Sequence, residues 1–434
     1  MTPLFRLRRS LFSFSDSMPA RLGRGMIVIS GFTIVQAVVQ GLGLIAGFIL
    51  VRALDKHDYA LYTLAISGIN ALVMLSNGGI IDAATALGGR AWQDARHLGQ
   101  VIASALRFRK QLATMIVAPV ILFLAWLLVR NGASIGEVLV LSVTAFLAAQ
   151  FQLSTGILSV VLRLKGMIRE LQYLDLIGAA LRAALVICLF LVLDAELATA
   201  VALAGAGAGY FFAQRWVAGT LDYKTKPDSA MLAQIGSVVR RQWLNDLVFI
   251  FQGQITLLLL GLFGGSESVA NFGALGRIAA LFGIVNAIMQ SIVLPRYARC
   301  QEPMQLRQLY AAILLGSVGV AVLAVGASLL LPSPLLWILG ARYQDLSYEL
   351  VLVVLNSSLG SIAFITWGLN STRAWIIPAW LNVPVVLASQ ILLMATIGVA
   401  SMAQMLWIGI AWYGFAALFH VSATFVFSRG FSRV

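Results

Sequence analysis

Charge, acidic residues and cysteine are all scarce in this sequence. Only 11% of its 434 residues are charged, 17 Asp and Glu stand against 30 Lys and Arg, and there are two cysteines. Cys188 lies inside an apolar run and Cys300 follows Arg299, so they do not indicate a disulfide framework, and neither has the spacing of a metal site. We therefore expect no redox chemistry, no metal and no cofactor.

Several signatures of catalytic sites are missing as well. The chain has no HExxH and no phosphate-binding glycine loop, and its acidic residues do not form a paired-carboxylate motif. The outer loops between its apolar runs are short, which leaves no room for an external catalytic domain. An enzyme is therefore the weaker class of function for this chain.

Long, continuous apolar runs make up most of the chain. Hydrophobic residues account for 60% of it, and the mean hydropathy is +0.92. Runs of roughly 20 residues or more can cross a bilayer as helices, whereas the strands of a membrane barrel alternate over about 10 residues. We therefore predict an all-α polytopic membrane protein with about 12 transmembrane helices, near residues 27–51, 59–81, 111–129, 137–161, 171–193, 196–218, 242–263, 268–294, 309–331, 346–368, 374–398 and 402–427.

Basic residues are distributed asymmetrically about these spans. With a cytoplasmic N-terminus, 24 of the 30 Lys and Arg fall on the inner side, counting Arg215 at the inner end of its span, and two lie deeper within spans. Such a bias orients membrane proteins with short loops, so both termini are expected in the cytoplasm. The same bias explains the net charge of +13 without nucleic acid as a partner. The four cations expected outside are Arg52, Lys56, Arg130 and Arg342.

We predict two halves joined by a linker. Six spans return the chain to its starting side, so two successive six-helix bundles would be parallel repeats. A basic amphipathic segment suited to an anionic leaflet precedes them. The predicted segments are the amphipathic segment 1–25, the N-terminal bundle 26–218, the cytoplasmic linker 219–241 and the C-terminal bundle 242–434.

A polar stripe along the first span supports the duplication. The stripe is narrow on a helical projection, so we expect this face to avoid lipid and to line a cavity. The first helix of the second half repeats its spacing. The stripe residues are Thr33, Gln36, Gln40, Gly43 and Gly47 in the first half, and Gln242, Asn245, Phe249, Gln252 and Thr256 in the second.

The first hairpin also carries a family resemblance. A long first span is followed by RAL at 52–54 and DYALY at 58–62, the second span ends in Gly78-Gly79, and a weaker echo follows the linker. The chain thereby resembles the Wzx-type polysaccharide flippases of the multidrug/oligosaccharidyl-lipid/polysaccharide exporter superfamily. The resemblance implies two six-helix bundles around a central cavity, alternating access, and a place in the bacterial cytoplasmic (inner) membrane.

A substrate and partners are implied by the same resemblance. The substrate would be a polyprenyl-pyrophosphate-linked oligosaccharide, flipped from the inner to the outer leaflet for O-antigen, capsule or exopolysaccharide synthesis. Membrane lipids, a polysaccharide polymerase and other assembly proteins would be its partners. Within the superfamily, a multidrug/cation antiporter and a peptidoglycan-precursor flippase compete with this interpretation. Among enzymes, the competing function is a lipid-linked glycan polymerase or ligase.

Two arginines lie within predicted spans. A charge at mid-membrane costs at least about 2.5–3.5 kcal/mol, so Arg182 and Arg277 should face the bundle interior, a cavity or a counter-ion. Asp175 and Asp246 are the candidate counter-ions, or sites for a coupling ion. Two arrangements remain open: a closed network of Arg and Asp that fixes helix packing, or a cationic cavity in which the arginines bind the diphosphate of the substrate.

The charge asymmetry predicts which loops are accessible from outside. A cysteine reporter at Asp194 or Glu267 should react with an impermeant thiol reagent added to intact cells, and a reporter at Lys224 or Arg307 should not. Mass-tag labelling measures this directly, and the reversed pattern would invert the orientation.

Overall fold

The computed structural model describes most of the chain between residues 18 and 431. Residues 91–92, 222–224, 290–292, 295–296, 298–299, 301, 372 and 374–378 are outside this description. Within helices, the side chains of residues 18–33, 90, 241–255, 303, 379–382 and 425–431 are outside it as well. The predicted amphipathic segment 1–25 falls largely outside the described residues.

The described residues form fifteen α-helices, numbered here in chain order. They are α1 Met18–Ala53, α2 Lys56–Asn77, α3 Ile80–Arg90, α4 Ala95–Arg130, α5 Ile135–Leu164, α6 Ile168–Cys188, α7 Ala195–Ala218, α8 Ser229–Leu259, α9 Gly265–Ala279, α10 Leu281–Ile288, α11 Pro303–Leu330, α12 Pro332–Leu339, α13 Ser347–Ser371, α14 Ala379–Ile397 and α15 Met402–Phe431. A π-helix at Leu260–Gly264 and a 3-10 helix at Ala341–Tyr343 complete the set. In the described part of the chain, ten helical stretches are long and apolar enough to cross a membrane.

Two predicted spans differ in detail from the helices. The third span, 111–129, is the second part of the long helix α4, which begins sixteen residues before it, at Ala95. The eighth span, 268–294, is interrupted at Ala280 between α9 and α10. Hydropathy cannot locate such a break, because the apolar sequence continues through it.

Side-chain caps set the start of several helices at one end of the molecule. Asp55 accepts a hydrogen bond from the Asp58 backbone at 2.7 Å at the start of α2, and Asp194 does the same for α7. Ser134 and Glu137 form a reciprocal capping box on α5. Residues 132–136 read GASIG, the GxSxG pattern of hydrolase nucleophiles, but here the serine is a helix cap.

Glycines end α2 and allow the helices α6 and α7 to pack closely. Gly78, at φ 44°, adopts the left-handed conformation that ends α2. Between α6 and α7, a Cβ added to Gly205 would lie 2.6 Å from Arg182 Cγ and 3.2 Å from the Gly178 carbonyl. The sixth predicted span therefore uses this glycine for close helix packing, as small residues do in membrane bundles.

The two halves meet at the end of the molecule that carries Arg52, Lys56, Arg130, Glu267 and Arg342, here called the Lys56 face. All four cations expected outside reach across from one half to the other. The contacts are Arg52 to the carbonyls of Trp337 and Ile338 (2.6 and 2.9 Å), Lys56 to the Glu267 carboxylate (2.7 Å), Arg130 to the Leu262 carbonyl (2.7 Å) and Arg342 to the Leu54 carbonyl.

Apolar packing reinforces this junction. The largest buried cluster contains residues of both halves, including Leu54 and Tyr59 from the first and Leu275 and Leu350 from the second. At the opposite end, called the linker face because residues 219–221 and 225–228 lie there, a second cluster packs α8 against α3, α4, α5 and α7. The first helix of the second half is therefore anchored on the first half.

The contact at Gly205 predicts a stability effect. Gly205→Ala should lower the free energy of unfolding by about 1–3 kcal/mol, because the added methyl overlaps the Arg182 stem and approaches a backbone carbonyl. Gly316→Ala in α11 is the matched control, since its added Cβ meets no atom within 4 Å. Thermal unfolding of the two variants in detergent tests this, and equal midpoints would contradict tight packing at Gly205.

Candidate substrate-binding site between the halves

The predicted polar stripe of α1 is contacted by both halves of the molecule. Near the middle of the helix, Gln36 donates a hydrogen bond to Asp175 of α6 at 2.9 Å. Farther toward the Lys56 face, Gly47 packs against the Arg277 side chain of α9, which an added Cβ would approach to 2.9 Å. These two positions are about 16 Å apart along the helix. The stripe therefore faces protein at both points, as expected for a face that avoids lipid.

Arg277 has a defined place at the junction of the halves. Its Nε donates to the Tyr59 hydroxyl at 3.0 Å, and its guanidinium lies 5.9 Å from the Tyr62 ring centroid. Tyr59 in turn donates to the Gly273 carbonyl at 3.2 Å. Gly273 allows this approach, because a Cβ there would clash with Thr63 and crowd Tyr59. The arginine of the second half is thus held by two tyrosines of the first.

No carboxylate lies within ion-pair distance of Arg277 in the described part of the chain. Its guanidinium keeps its positive charge next to a hydroxyl and an aromatic ring, which stabilise a cation less than a carboxylate would. The closed Arg–Asp network is therefore not formed by the described side chains. Arg277 remains partly accessible and can offer further N–H donors to an anion.

Arg182 lies on α6 and is exposed. Its stem packs along Gly205 of α7, and its Nε donates to the Gly178 carbonyl of its own helix at 3.3 Å. It makes no ion pair with any described carboxylate, and Asp175 is occupied by Gln36. The helices α1 and α6 run in the same direction and touch at Gln36 and Asp175. Gly43 and Arg182 each lie seven residues beyond this contact, so they are at the same height along the two helices.

The middle of the α1 stripe borders open space. Gly43 is exposed, and an added Cβ would meet no atom within 4 Å. The same holds for Gly276, which precedes Arg277 on α9. Gln40, one turn before Gly43, is partly exposed. The arrangement leaves open space along α1 between the Gln36–Asp175 pair and the Arg277 guanidinium.

Four predicted site residues belong to α8, and their side chains lie outside the described ones. They are Gln242, Asn245, Asp246 and Gln252. The predicted repetition of the stripe in the second half is therefore not tested by contacts.

The two tyrosines that hold Arg277 are not predicted as site residues by the sequence. Tyr59 and Tyr62 belong to the DYALY string, and their three-residue spacing places both on one face of α2, which is the signal that could have identified them. Arg109 lies outside the predicted spans, yet it is buried. It is 7% exposed and donates to the Gln150 carbonyl and the Ser154 hydroxyl of α5, at 3.0 and 2.6 Å.

Acidic residues at the Lys56 face have structural roles. Asp55, Glu137 and Asp194 cap helices, and Glu267 pairs with Lys56. These four carboxylates are used in capping and pairing, which is not the arrangement of a general acid and base around a substrate.

Comparison with known proteins identifies the fold. No family model and no curated protein matches the chain, whereas solved structures match over nearly its whole length. An inward-facing multidrug resistance MATE family transporter of the MOP superfamily is 16% identical, with a TM-score of 0.69, covering 92% of this chain and 97% of that one. The outward-facing conformation of such a transporter is 17% identical, with a TM-score of 0.61, covering 93% and 94%.

A third similar structure is a MOP superfamily transporter from Pyrococcus furiosus. It is 17% identical with a TM-score of 0.61, covers 93% of this chain and 94% of that one, and is described by a reversed polarity of its binding pocket that suggests a different function. The chain therefore has the all-helical fold of these transporters, with two six-helix bundles, and the predicted fold class is confirmed.

The Tyr59 contact predicts how Arg277 is stabilised. Tyr59→Phe removes the acceptor for Arg277 Nε and the donor to Gly273, so unfolding should become easier by about 1–2 kcal/mol. Tyr173→Phe is the control, because Tyr173 is 53% exposed. Thermal unfolding in detergent provides the measurement. If both variants unfold at the wild-type temperature, Tyr59 does not hold the arginine.

Proposed function

We propose that this protein flips a polyprenyl-pyrophosphate-linked oligosaccharide from the inner to the outer leaflet of a bacterial cytoplasmic membrane. The observation that carries the proposal is Arg277, a cation at the junction of the halves that is paired with a tyrosine hydroxyl and with no described carboxylate. A cavity for a cationic drug would gain nothing from an arginine in this position. A diphosphate would gain a charge-assisted donor.

The chemistry of a diphosphate headgroup favours this site. Taking a phosphate group out of water is expensive unless N–H donors replace its hydration shell. Arg277 and Arg182 each bring a guanidinium to the space beside the α1 stripe, where Gln40 adds an amide. The sugar chain would occupy the open part near Gly43 and Gly276, and the polyprenyl tail would remain in lipid.

Alternating access gives the contacts of the Lys56 face a role in transport. The four cation contacts there join the halves at the end expected to face outward, so the state described is closed on that side. Three of the four cations bind backbone carbonyls, which have a dipole but no full charge. Such contacts can be exchanged for water when the halves separate, at a cost lower than that of breaking buried ion pairs.

Localisation and partners follow the same proposal. Both termini and the linker would lie in the cytoplasm, where the lipid-linked sugar is assembled. A polysaccharide polymerase and other assembly proteins would receive the flipped substrate outside. The similar Pyrococcus transporter supports the idea that this fold accepts cargo of different polarity.

A multidrug/cation antiporter is the second candidate, and one contact favours it. Asp175 is an exposed carboxylate facing the α1 stripe, where Gln36 holds it by a hydrogen bond. A carboxylate in this position can bind H⁺ or Na⁺ and couple it to the movement of the halves. Asp246 is a second candidate for the same role. No contact of the described residues specifically favours a peptidoglycan-precursor flippase or a lipid-linked glycan polymerase or ligase.

Replacing Arg277 tests the proposed substrate. In cells that depend on this protein for surface polysaccharide, Arg277→Ala should reduce export at least roughly tenfold, and Arg277→Lys should restore it in part, because lysine lacks the bidentate fork. Lipid-linked glycan should accumulate at the inner face. Arg307→Ala, which removes an exposed cation outside the site, should export normally. The measurements are surface glycan and membrane content of each variant.

A glycine pair separates loss of the site from loss of the fold. Gly43→Leu should block export by filling the open part of the stripe, whereas Gly41→Leu, off the stripe with equal free space, should not. Normal export by membrane-inserted Arg277→Ala would overturn the proposed role. Increased drug sensitivity of a deletion strain without glycan accumulation would favour the antiporter, and glycan extension by the purified protein would favour an enzyme.

A further inference from the structure

A cavity of about 350 Å³ lies at the linker face, away from the site between the halves. Its volume is within the range of small-molecule sites. One wall is a face of α4, and the other is the segment that follows α7 and leads to the second half. The lining residues are Gly99, Ile102, Ala103, Leu106, Arg107 and Lys110 on α4, with Leu221, Thr225 and Pro227 opposite.

The two cations of this cavity lie at the depth of lipid headgroups. From residue 112 to residue 129, α4 contains no Asp, Glu, Lys or Arg. This uncharged stretch is about 27 Å long, close to the roughly 30 Å thickness of the hydrocarbon. Lys110 therefore lies where the hydrocarbon ends, and Arg107 lies one helical turn beyond it. On the expected topology, this is the inner leaflet.

Both cations are free to bind a ligand. Arg107 and Lys110 are exposed, and neither makes a hydrogen bond or ion pair with another described residue. Three positions apart on a helix, they are neighbours on one face, so a single phosphate can contact both. Apolar side chains complete the wall. Such a combination suits a ligand that has one anionic group and an apolar part.

No described carboxylate forms an ion pair with Arg107 or Lys110. Asp94 caps the start of α4, where backbone N–H groups of His97 and Arg96 lower the pKa of its carboxyl. Asp228 follows the lining segment, and its backbone N–H donates to the Ser104 hydroxyl at 3.0 Å, which ties the segment to α4. Exposed Lys226 adds a further cation to the same segment.

We propose that this cavity binds the headgroup of an anionic phospholipid, with its phosphate between Arg107 and Lys110. The acyl chains would continue along the uncharged part of α4, and the polar end of the headgroup would lie against Leu221, Thr225 and Pro227. A phospholipid fits better than a soluble phosphate because the cations lie at the edge of the hydrocarbon. The inference does not depend on which substrate the protein carries.

Binding there would connect the lipid to the movement of the halves. Leu221, Thr225 and Pro227 precede α8 and line the cavity opposite α4, and the Asp228 backbone is bonded to Ser104 of α4. A bound lipid would hold these residues against α4. The unfolding temperature of the whole chain should therefore rise with anionic lipid and not with soluble anions alone.

Lipid titration of the purified full chain tests the proposal. In an uncharged detergent, phosphatidylglycerol should raise the unfolding temperature, while phosphatidylcholine and inorganic phosphate at equal concentration should not. The double variant Arg107→Gln/Lys110→Gln should need roughly tenfold or more phosphatidylglycerol for the same shift. Arg96→Gln, which removes an exposed cation from the same helix outside the cavity, should behave as wild type.

A second variant keeps the cations and fills the cavity. Ala103→Phe should weaken the response to phosphatidylglycerol as the double variant does, with native mass spectrometry showing fewer retained lipids. An unchanged response in the double variant would overturn the proposal. Equal stabilisation by inorganic phosphate would overturn the lipid and assign the cavity to a soluble anion.

Discussion

The hydrogen bond between Arg277 and Tyr59 is the interaction on which the arrangement of the two halves depends. An arginine within a membrane span must have hydrogen-bond partners or water, because the bilayer supplies neither. Here the partners belong to the other half of the chain, so stabilising the charge and joining the halves are achieved by the same contact. Gly273 and Gly47 make it possible, since any side chain at either position would push α9 away from α2 and α1.

Basic residues have three distinct environments in this protein. At the Lys56 face they join the halves, mainly through backbone carbonyls. Inside the membrane region Arg277 and Arg182 border the space along α1, without carboxylate partners among the described residues. At the linker face Arg107 and Lys110 line a separate cavity at headgroup depth. A chain with few acidic residues cannot neutralise its cations internally, so several of them remain available for phosphate groups.

Hydropathy and helical periodicity determined much of this protein from the sequence alone. Continuous apolar runs specify helices, because the backbone must satisfy its hydrogen bonds within each segment in lipid. Helical spacing is local information, so the sequence placed Gln36 and Gly47 on one face of α1, and both contact protein in the structure. The free-energy cost of placing a charge in lipid predicted that Arg277 lies away from the lipid.

Tertiary structure decided which groups meet. Tyr59 and Tyr62 are more than two hundred residues from Arg277, and nothing local to either segment specifies their pairing. The break between α9 and α10 and the continuous course of α4 were equally invisible, because hydropathy reports burial in lipid and not helix geometry. Arg109 shows the same limit: its sequence context is that of a surface cation, yet packing against α5 buries it beside Ser154. Partners distant in the chain are brought together by packing, which a linear pattern does not encode.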